Sequence, residues 1–192
     1  RRSSDLPLTN DLRSTDEVIE AARRAGRKLQ VYQPRRLDPD CIAAKSLVDS
    51  GRLGQIYMIK RVFTSYRRRN DWQAHLKHGG GMLNNYGAHF FDQLQYVLQD
   101  GFADVFCRLE KIATLGDADD VVKAVIQSRN EVLLDVDISQ ACAHTDNSWQ
   151  IIGSLGCAMH KADTGPEWHM KYLVPSELPS LELQEGLAAE GR

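Results

Sequence analysis

The chain has 192 residues, of which 42% are hydrophobic and 26% are charged, and its net charge at pH 7 is −2. This composition is that of an average globular protein, so it excludes a disordered chain, a collagen repeat, a disulfide scaffold and the basic field of a nucleic-acid-binding protein. No apolar run reaches the roughly 18 residues of a membrane-spanning helix, and no signal-peptide pattern opens the chain, so we expect no membrane partner.

Four cysteines lie far apart in the chain and form no CxxC pair. Such spacing is typical of reduced, buried thiols in a cytoplasmic protein. His75 and His78 lie close to Asp71, but they lack the further ligands that a metal ion requires. We therefore predict a cytoplasmic protein with core cysteines and no metal site.

The N-terminal part of the chain predicts two helices with a short strand between them. Ser14 and Glu17 form a capping box for the first helix, and Gly26 supplies its C-terminal stop. The strand is predicted over 29–33 (LQVYQ), and the second helix over 38–51, with an aspartate N-cap followed by proline. A helix and a single strand cannot form a sheet alone, so this part is interpreted as the end of a βαβ unit.

The remainder predicts one long strand, a third helix and then a run of strands. The helix runs from Met82 to about Leu98, where apolar residues recur at helical spacing. This order predicts the α+β class, with a mostly antiparallel or mixed open sheet and helices on one face. The strands are predicted over 56–66, 105–112, 121–127, 132–139, 149–152, 157–160 and 168–174. The domains are predicted as a βαβ remnant over 1–35, an α+β domain over 36–175 and a loosely packed tail over 176–192.

The residues that favour chemistry are concentrated just before and inside the third helix. Three successive glycines over 79–81 allow a ligand to approach the backbone, and the helix start favours an anion or a polar ligand. Asn85 and His89 are four residues apart and share one helix face, with Gly87 between them. A histidine can take a proton from a hydroxyl at neutral pH, and the asparagine can hold that hydroxyl or orient the ring. The competing interpretation is a half-buried structural histidine.

A basic segment precedes the glycines. Six basic residues and the single acid Asp71 lie between Lys60 and Lys77, interleaved with Tyr66 and Trp72. Such a segment can bind nucleic acid, but the nearly neutral chain favours a solvated loop or a rim that attracts an anionic cofactor or a sugar acid.

Three segments in order and at consistent spacing carry a family resemblance. They are 33–39 (QPRRLDP), 50–56 (SGRLGQI) and 79–89 (GGGMLNNYGAH), the last followed by Asp92. With these segments the chain resembles the C-terminal domain of the Gfo/Idh/MocA oxidoreductases, such as glucose–fructose oxidoreductase and inositol dehydrogenase. The resemblance covers most of the chain and identifies 1–35 as the last helix and strand of a dinucleotide-binding Rossmann domain.

The resemblance implies NAD(P)-dependent hydride transfer on a sugar, a polyol or a related hydroxy compound. It implies that His89 is the catalytic residue, and we predict that His89 and Asn85 point into a cleft beside the sheet. Arg36, Asp71 and Trp72 are predicted to bind substrate with them. Asn85 stands where the family has an aspartate, and Leu6 where it has a lysine.

The cofactor implied is NAD or NADP, but its binding residues are unknown because no GxGxxG occurs in the sequence. The chain alone is therefore expected to bind the cofactor poorly and to be inactive, while the complete protein is the enzyme. The resemblance also implies a homo-oligomer that assembles through the open sheet. The alternatives are a non-catalytic sugar-binding or scaffold protein, and an NAD-dependent glycosidase on the same fold.

Overall fold

A computed structural model of the chain describes residues 7–144, 146–161, 167–181 and 183. The described α-helices are α1 (Leu12–Arg24), α2 (Pro39–Asp49) and α3 (Ala88–Leu98). The described strands are β1 (Ile56–Thr64), β2 (Phe102–Glu110), β3 (Val121–Ser128), β4 (Leu133–Ser139), β5 (Asn147–Gly153), β6 (Gly156–Lys161) and β7 (Trp168–Tyr172).

The strands form one mixed, open sheet of seven in the order β2-β3-β4-β1-β5-β6-β7. The central pair β1 and β4 is parallel, and every other neighbouring pair is antiparallel. Parallel pairing of β1 and β4 requires a long connection, which contains α3, β2 and β3. The predicted α+β class with a mixed open sheet is confirmed.

Alternating residues of the central strands build the core against the helices. In β4, Leu134, Val136 and Ile138 are fully buried, while Asp135 and Asp137 point to the other face, as the alternation predicts. The same core cluster contains apolar residues of α2, α3 and the neighbouring strands: Cys41, Ala44, Ile59, Phe90, Leu94, Val97, Val122, Trp149 and Ile151. This packing fixes α3 on the covered face of the sheet.

The opposite face of the sheet carries a charged stripe. Lys123 forms ion pairs with Asp135 and with Asp137, the latter at 2.7 Å. Partial burial lowers the pKa of Lys123, but the hydrogen bonds and charges of the two aspartates outweigh it, so the pKa is raised overall. At the β2 edge, Phe106 lies exposed on the same face.

Three local predictions were wrong. Residues 29–33 form no strand, because none of the described strands lies beside them to accept their hydrogen bonds. The first helix begins earlier than the capping box suggested, since Asp11 is the N-cap and accepts a hydrogen bond from the N–H of Ser14. Of the four cysteines, only Cys41 is buried, and Cys107 is exposed on the edge strand.

Parts of the two termini lie outside the described residues. Leu6 is among them, as are residues 182 and 184–192 of the predicted tail. Within the rest of the tail, Pro175–Glu177 forms a 3-10 turn. None of the helices in the described part of the chain is long and apolar enough to cross a membrane.

Candidate functional site

The predicted third helix begins with a π-helical turn. This turn covers Leu83–Gly87 and α3 follows it, so Asn85 lies in the π-helical turn and His89 lies in α3. The ring of Tyr86 stacks on Phe63 of β1 at a centroid distance of 4.1 Å, which attaches the turn to the sheet. Short π-helical segments are rare and occur frequently at functional sites.

Close packing within the protein accounts for the three glycines. Gly79 and Gly81 have φ angles of 73° and 104°, which glycine adopts without strain. A Cβ at Gly80 would overlap the backbone carbonyl of Gln73, and one at Gly81 would overlap the carboxylate of Asp119. We expected these glycines to admit a ligand, but the groups that approach them belong to the protein itself.

A carboxylate of the protein also occupies the start of this helix. Oδ2 of Asp119 accepts a hydrogen bond from the N–H of Leu83 at 2.9 Å, and its backbone carbonyl accepts one from the N–H of Met82 at 3.0 Å. Burial raises the pKa of Asp119, and the hydrogen bond from Leu83 opposes that increase. The expectation that a bound anion or polar ligand uses these N–H groups was therefore wrong.

Asn85 lines a small cavity. Its Nδ2 donates a hydrogen bond to Oε1 of Gln73 at 2.9 Å. Both side chains line a cavity of about 10 Å³, together with Gln140, whose buried Oε1 has no hydrogen-bond partner among the described residues. Such a volume corresponds to roughly one water molecule, whereas small-molecule sites measure about 300–1,000 Å³. A sugar does not fit into this space.

His89 is buried in α3 and contacts residues 33–36, the segment before α2, which we call the entering segment. Only 3% of the residue is exposed, and its Nδ1 lies 3.1 Å from Oε1 of Gln33. Which of the two groups donates depends on the tautomer of the ring: if Nδ1 carries the proton, the amide oxygen of Gln33 accepts it and the lone pair of the neutral ring lies on Nε2. In this form the ring can accept a proton at Nε2.

Arg36 forms a bidentate ion pair with Asp92, one turn after His89. Its Nε and Nη2 donate to the two carboxylate oxygens at 2.7 and 2.6 Å, and this hydrogen bonding raises the pKa of Arg36. Arg36 and Asp92 line a surface groove of about 420 Å³, whose other walls are formed by residues 30–34, Gln33 among them, and by Leu37. This volume lies in the range that small ligands occupy.

Asp71 and Trp72 lie on the loop between β1 and the glycines. Asp71 accepts hydrogen bonds from the N–H of Gln73 at 3.1 Å and from Nη1 of Arg69 at 2.9 Å. Trp72 is 45% exposed. Asp71 therefore shapes the turn that presents both Trp72 and Gln73.

The structure separates the predicted site residues into two groups. In the first group, His89 of α3 contacts Gln33 of the entering segment, and Arg36 of that segment binds Asp92 of α3. In the second group, Asp71 and Trp72 lie on the loop before the glycines, and Asn85 of the π-helical turn is connected to that loop through Gln73. No described cavity brings all five together, and their roles in binding and catalysis stay predictions.

Sequence reasoning missed the glutamines that hold this geometry. Gln33 contacts His89, Gln73 contacts Asn85, and the fully buried Gln93 donates to the backbone carbonyl of Arg35 at 2.7 Å. A glutamine carries no motif and does not titrate, so single-sequence patterns do not single it out. The one available signal was the position of Gln33 at the start of the first family-like segment.

Comparison with protein families gives one match that covers most of the described domain. A family model described as the GFO/IDH/MocA C-terminal domain matches residues 41–159. The chain is also similar to inositol 2-dehydrogenase 2 of Saccharopolyspora erythraea, with 28% identity over 156 residues that cover 79% of this chain and 44% of that protein. The curated relatives are longer proteins, because the matched part spans between 25% and 46% of their length.

Solved structures share the fold. The NAD-binding protein from Listeria innocua aligns with a TM-score of 0.83 and 20% identity, covering 94% of this chain and 53% of that chain. The WlbA dehydrogenase from Bordetella pertussis, solved in complex with NADH and UDP-GlcNAcA, aligns with a TM-score of 0.72 and 19% identity, covering 89% of this chain and 52% of that chain. At these identities the likeness establishes the fold alone.

Proposed function

We propose, because the chain belongs to the GFO/IDH/MocA family of oxidoreductases, that it is the substrate-binding C-terminal part of an NAD(P)-dependent dehydrogenase. The substrate class proposed is a sugar, a polyol or a related hydroxy compound. Relatives named inositol 2-dehydrogenase and the UDP-GlcNAcA complex of WlbA support this class. The observation that supports the proposal is the contact between Oε1 of Gln33 and Nδ1 of His89; in the proposal Gln33 accepts the Nδ1 proton, which leaves the lone pair of the imidazole on Nε2.

In this proposal His89 accepts the hydroxyl proton of the substrate. The proton moves to Nε2 while the carbon that bears the hydroxyl loses a hydride, so the alcohol becomes a carbonyl compound. The nicotinamide ring of the cofactor supplies the hydride acceptor. The residues of this chain do not fit the nucleotide, because no GxGxxG turn is present to hold its phosphates. We therefore assign the nucleotide to another part of the complete protein and expect the chain alone to be inactive.

Access to His89 is the most demanding requirement of the proposal. With 3% of the residue exposed, a substrate reaches Nε2 only by displacing groups that cover the ring. Gln33 and Arg36 line a groove that has room for a small ligand. Gln33 also contacts the imidazole of His89, so this groove lies next to the residue that covers the ring. Trp72, which is 45% exposed, is proposed as a stacking surface for a sugar on the loop side.

The test uses the complete protein and both nicotinamide cofactors with a panel of inositols, hexoses and sugar nucleotides. We expect NAD(P)-dependent oxidation of at least one compound, followed by nicotinamide absorbance, and loss of that activity in His89→Ala. Unchanged turnover in His89→Ala would remove His89 from the mechanism.

A second candidate is a non-catalytic sugar-binding or scaffold protein on the same fold. Two observations favour it, namely the asparagine at position 85 in place of the family's aspartate and the burial of His89. Calorimetry of the complete protein with NAD and NADP separates the candidates. The dehydrogenase predicts cofactor binding, and the scaffold predicts none at millimolar cofactor.

A further inference from the structure

Helix α3 contacts the entering segment, residues 33–36, at three points. His89 contacts the side chain of Gln33, Asp92 binds Arg36, and Gln93 donates to the backbone carbonyl of Arg35. We call this arrangement of 33–36 on α3 the entry clamp. Because the three contacts lie on one face of the helix, position 33 is fixed relative to the imidazole.

A buried arginine, Arg61, forms a hydrogen bond with Gln93 of the entry clamp. Nε of Arg61 donates to Oε1 of Gln93 at 3.2 Å, and its Nη1 donates to the backbone carbonyl of Ser148 at 2.9 Å. Its guanidinium lies over the ring of Phe90 at 4.1 Å, and Asp40 accepts a further hydrogen bond at 3.4 Å. Burial lowers the pKa of Arg61 to about 10, which leaves it charged at neutral pH. A buried charged group whose hydrogen bonds are satisfied in this way makes the surrounding structure rigid.

The backbone that follows Gln33 is also conformationally restricted. Pro34 follows it directly and starts the 3-10 turn Pro34–Leu37, which fixes one backbone angle of the turn. Gln33 itself is half-buried, and its Oε1 lies 3.1 Å from Nδ1 of His89. The side chain is thus held in place before any ligand arrives.

We propose that Gln33 is a positioning residue that sets the tautomer and the ring orientation of His89. Its Oε1 accepts the Nδ1 proton, so the basic lone pair lies on Nε2, the atom that must receive the substrate proton. The asparagine we predicted as an orienting group is not available for this role, because Asn85 donates to Gln73. The catalytic part of this inference rests on the proposed function. The effect of Gln33 on the tautomer of His89 does not, and it can be measured without a substrate.

The effect of a wrong tautomer is large in enzymes that use a histidine base. Loss of the group that holds the ring removes both the orientation and the acceptor for Nδ1–H, and misplacement by about 1 Å is enough for a loss of about 10²-fold. For Gln33→Met, which keeps the side-chain length and removes the acceptor, we expect kcat to fall about 10- to 100-fold with little change in KM.

The first measurement needs no substrate. Long-range proton–nitrogen NMR of the protein with 15N-labelled histidine, recorded above the titration range of the imidazoles, reports the tautomer of His89. We expect the Nδ1–H form in the wild type and in Gln33→Glu, and a shift toward the Nε2–H form in Gln33→Met. Gln30→Met is the matched control, because Gln30 lines the same groove and should leave the spectrum of His89 unchanged.

The second measurement compares steady-state kinetics of the same variants in the complete protein. The inference is overturned if Gln33→Met leaves both the tautomer and kcat of an active enzyme unchanged, or if wild-type His89 carries its proton on Nε2. If His89→Ala proves as active as the wild type, the proposed function fails, but the tautomer shift still reports on Gln33. Should Gln33→Met fold poorly, Gln33→Asn tests the same contact, because its amide is one methylene too short to reach the ring.

Discussion

The two halves of the glycine-to-histidine segment serve different purposes in this structure. Residues 79–85 are bound to the protein's own loops, since Gly81 lies against Asp119 and Asn85 donates to Gln73. His89 and Asp92, one and two turns further on, contact the entering segment through Gln33 and Arg36. The comparison teaches that a sequence motif can combine a structural half with a half available for chemistry.

The largest effect is expected from removal of the imidazole. In the complete protein, His89→Ala should lower turnover by about 10²- to 10⁴-fold, the usual contribution of a general base. His169→Ala, which changes an exposed histidine on β7, is the control and should retain wild-type turnover. Equal losses in both variants would show that the effect is not specific to His89.

A large effect on stability is expected in the structural half. Gly81→Ala combines a positive φ with an overlap of its Cβ on the carboxylate of Asp119, and we expect a loss of about 1–3 kcal/mol in the free energy of unfolding. Gly51→Ala is the control, because it has a φ of 67° but open space around it. Urea unfolding should show the larger loss for Gly81→Ala, and equal losses would mean that Asp119 does not restrict position 81.

A smaller loss is expected from Asn85→Ala. The variant removes one part-buried hydrogen bond to Gln73, which contributes about 1 kcal/mol to stability. Because Asn85 faces a water-sized cavity, turnover should fall by much less than in His89→Ala. Kinetics of the two variants side by side check this, and equal losses would place Asn85 at the reacting centre instead.

The smallest effect is expected from Asp119→Asn and depends on pH. Burial raises the pKa of Asp119, so the folded state binds its proton more tightly than the unfolded state does. The stabilising contribution of that proton is complete below the ordinary pKa of the carboxyl group and is lost as the pH rises through the raised value. The stability of Asp119→Asn relative to the wild type should therefore increase as the pH rises from about 4. Thermal unfolding across this range would contradict the account if the difference stayed constant or decreased.

Much of the fold could be predicted because its signals are local. The alternation in β4 and the aspartate–proline start of α2 depend on residues within a few positions of each other, and both are confirmed. The strand over 29–33 was predicted by the same local logic, but a strand also needs a neighbour, which local pattern does not reveal.

The candidate site was predictable only in part. Asn85 and His89 are conspicuous in sequence, but their partners Gln73 and Gln33 are 12 and 56 residues away along the chain. Asp119, which binds the N–H of Leu83 just after the glycines, lies 36 residues further along the chain. Contacts at such separations depend on how the elements pack, so composition and spacing predicted the chemistry of the residues but not their partners.

A double-mutant cycle on His89 and Gln33 tests the central claim most directly. Turnover of the complete protein is measured for His89→Ala, Gln33→Met and the two changes combined. If Gln33 acts through the imidazole, the double variant should be no slower than His89→Ala alone, because the orienting group has nothing left to orient. A double variant in which the two separate losses multiply would contradict the account, since Gln33 would then act independently of His89.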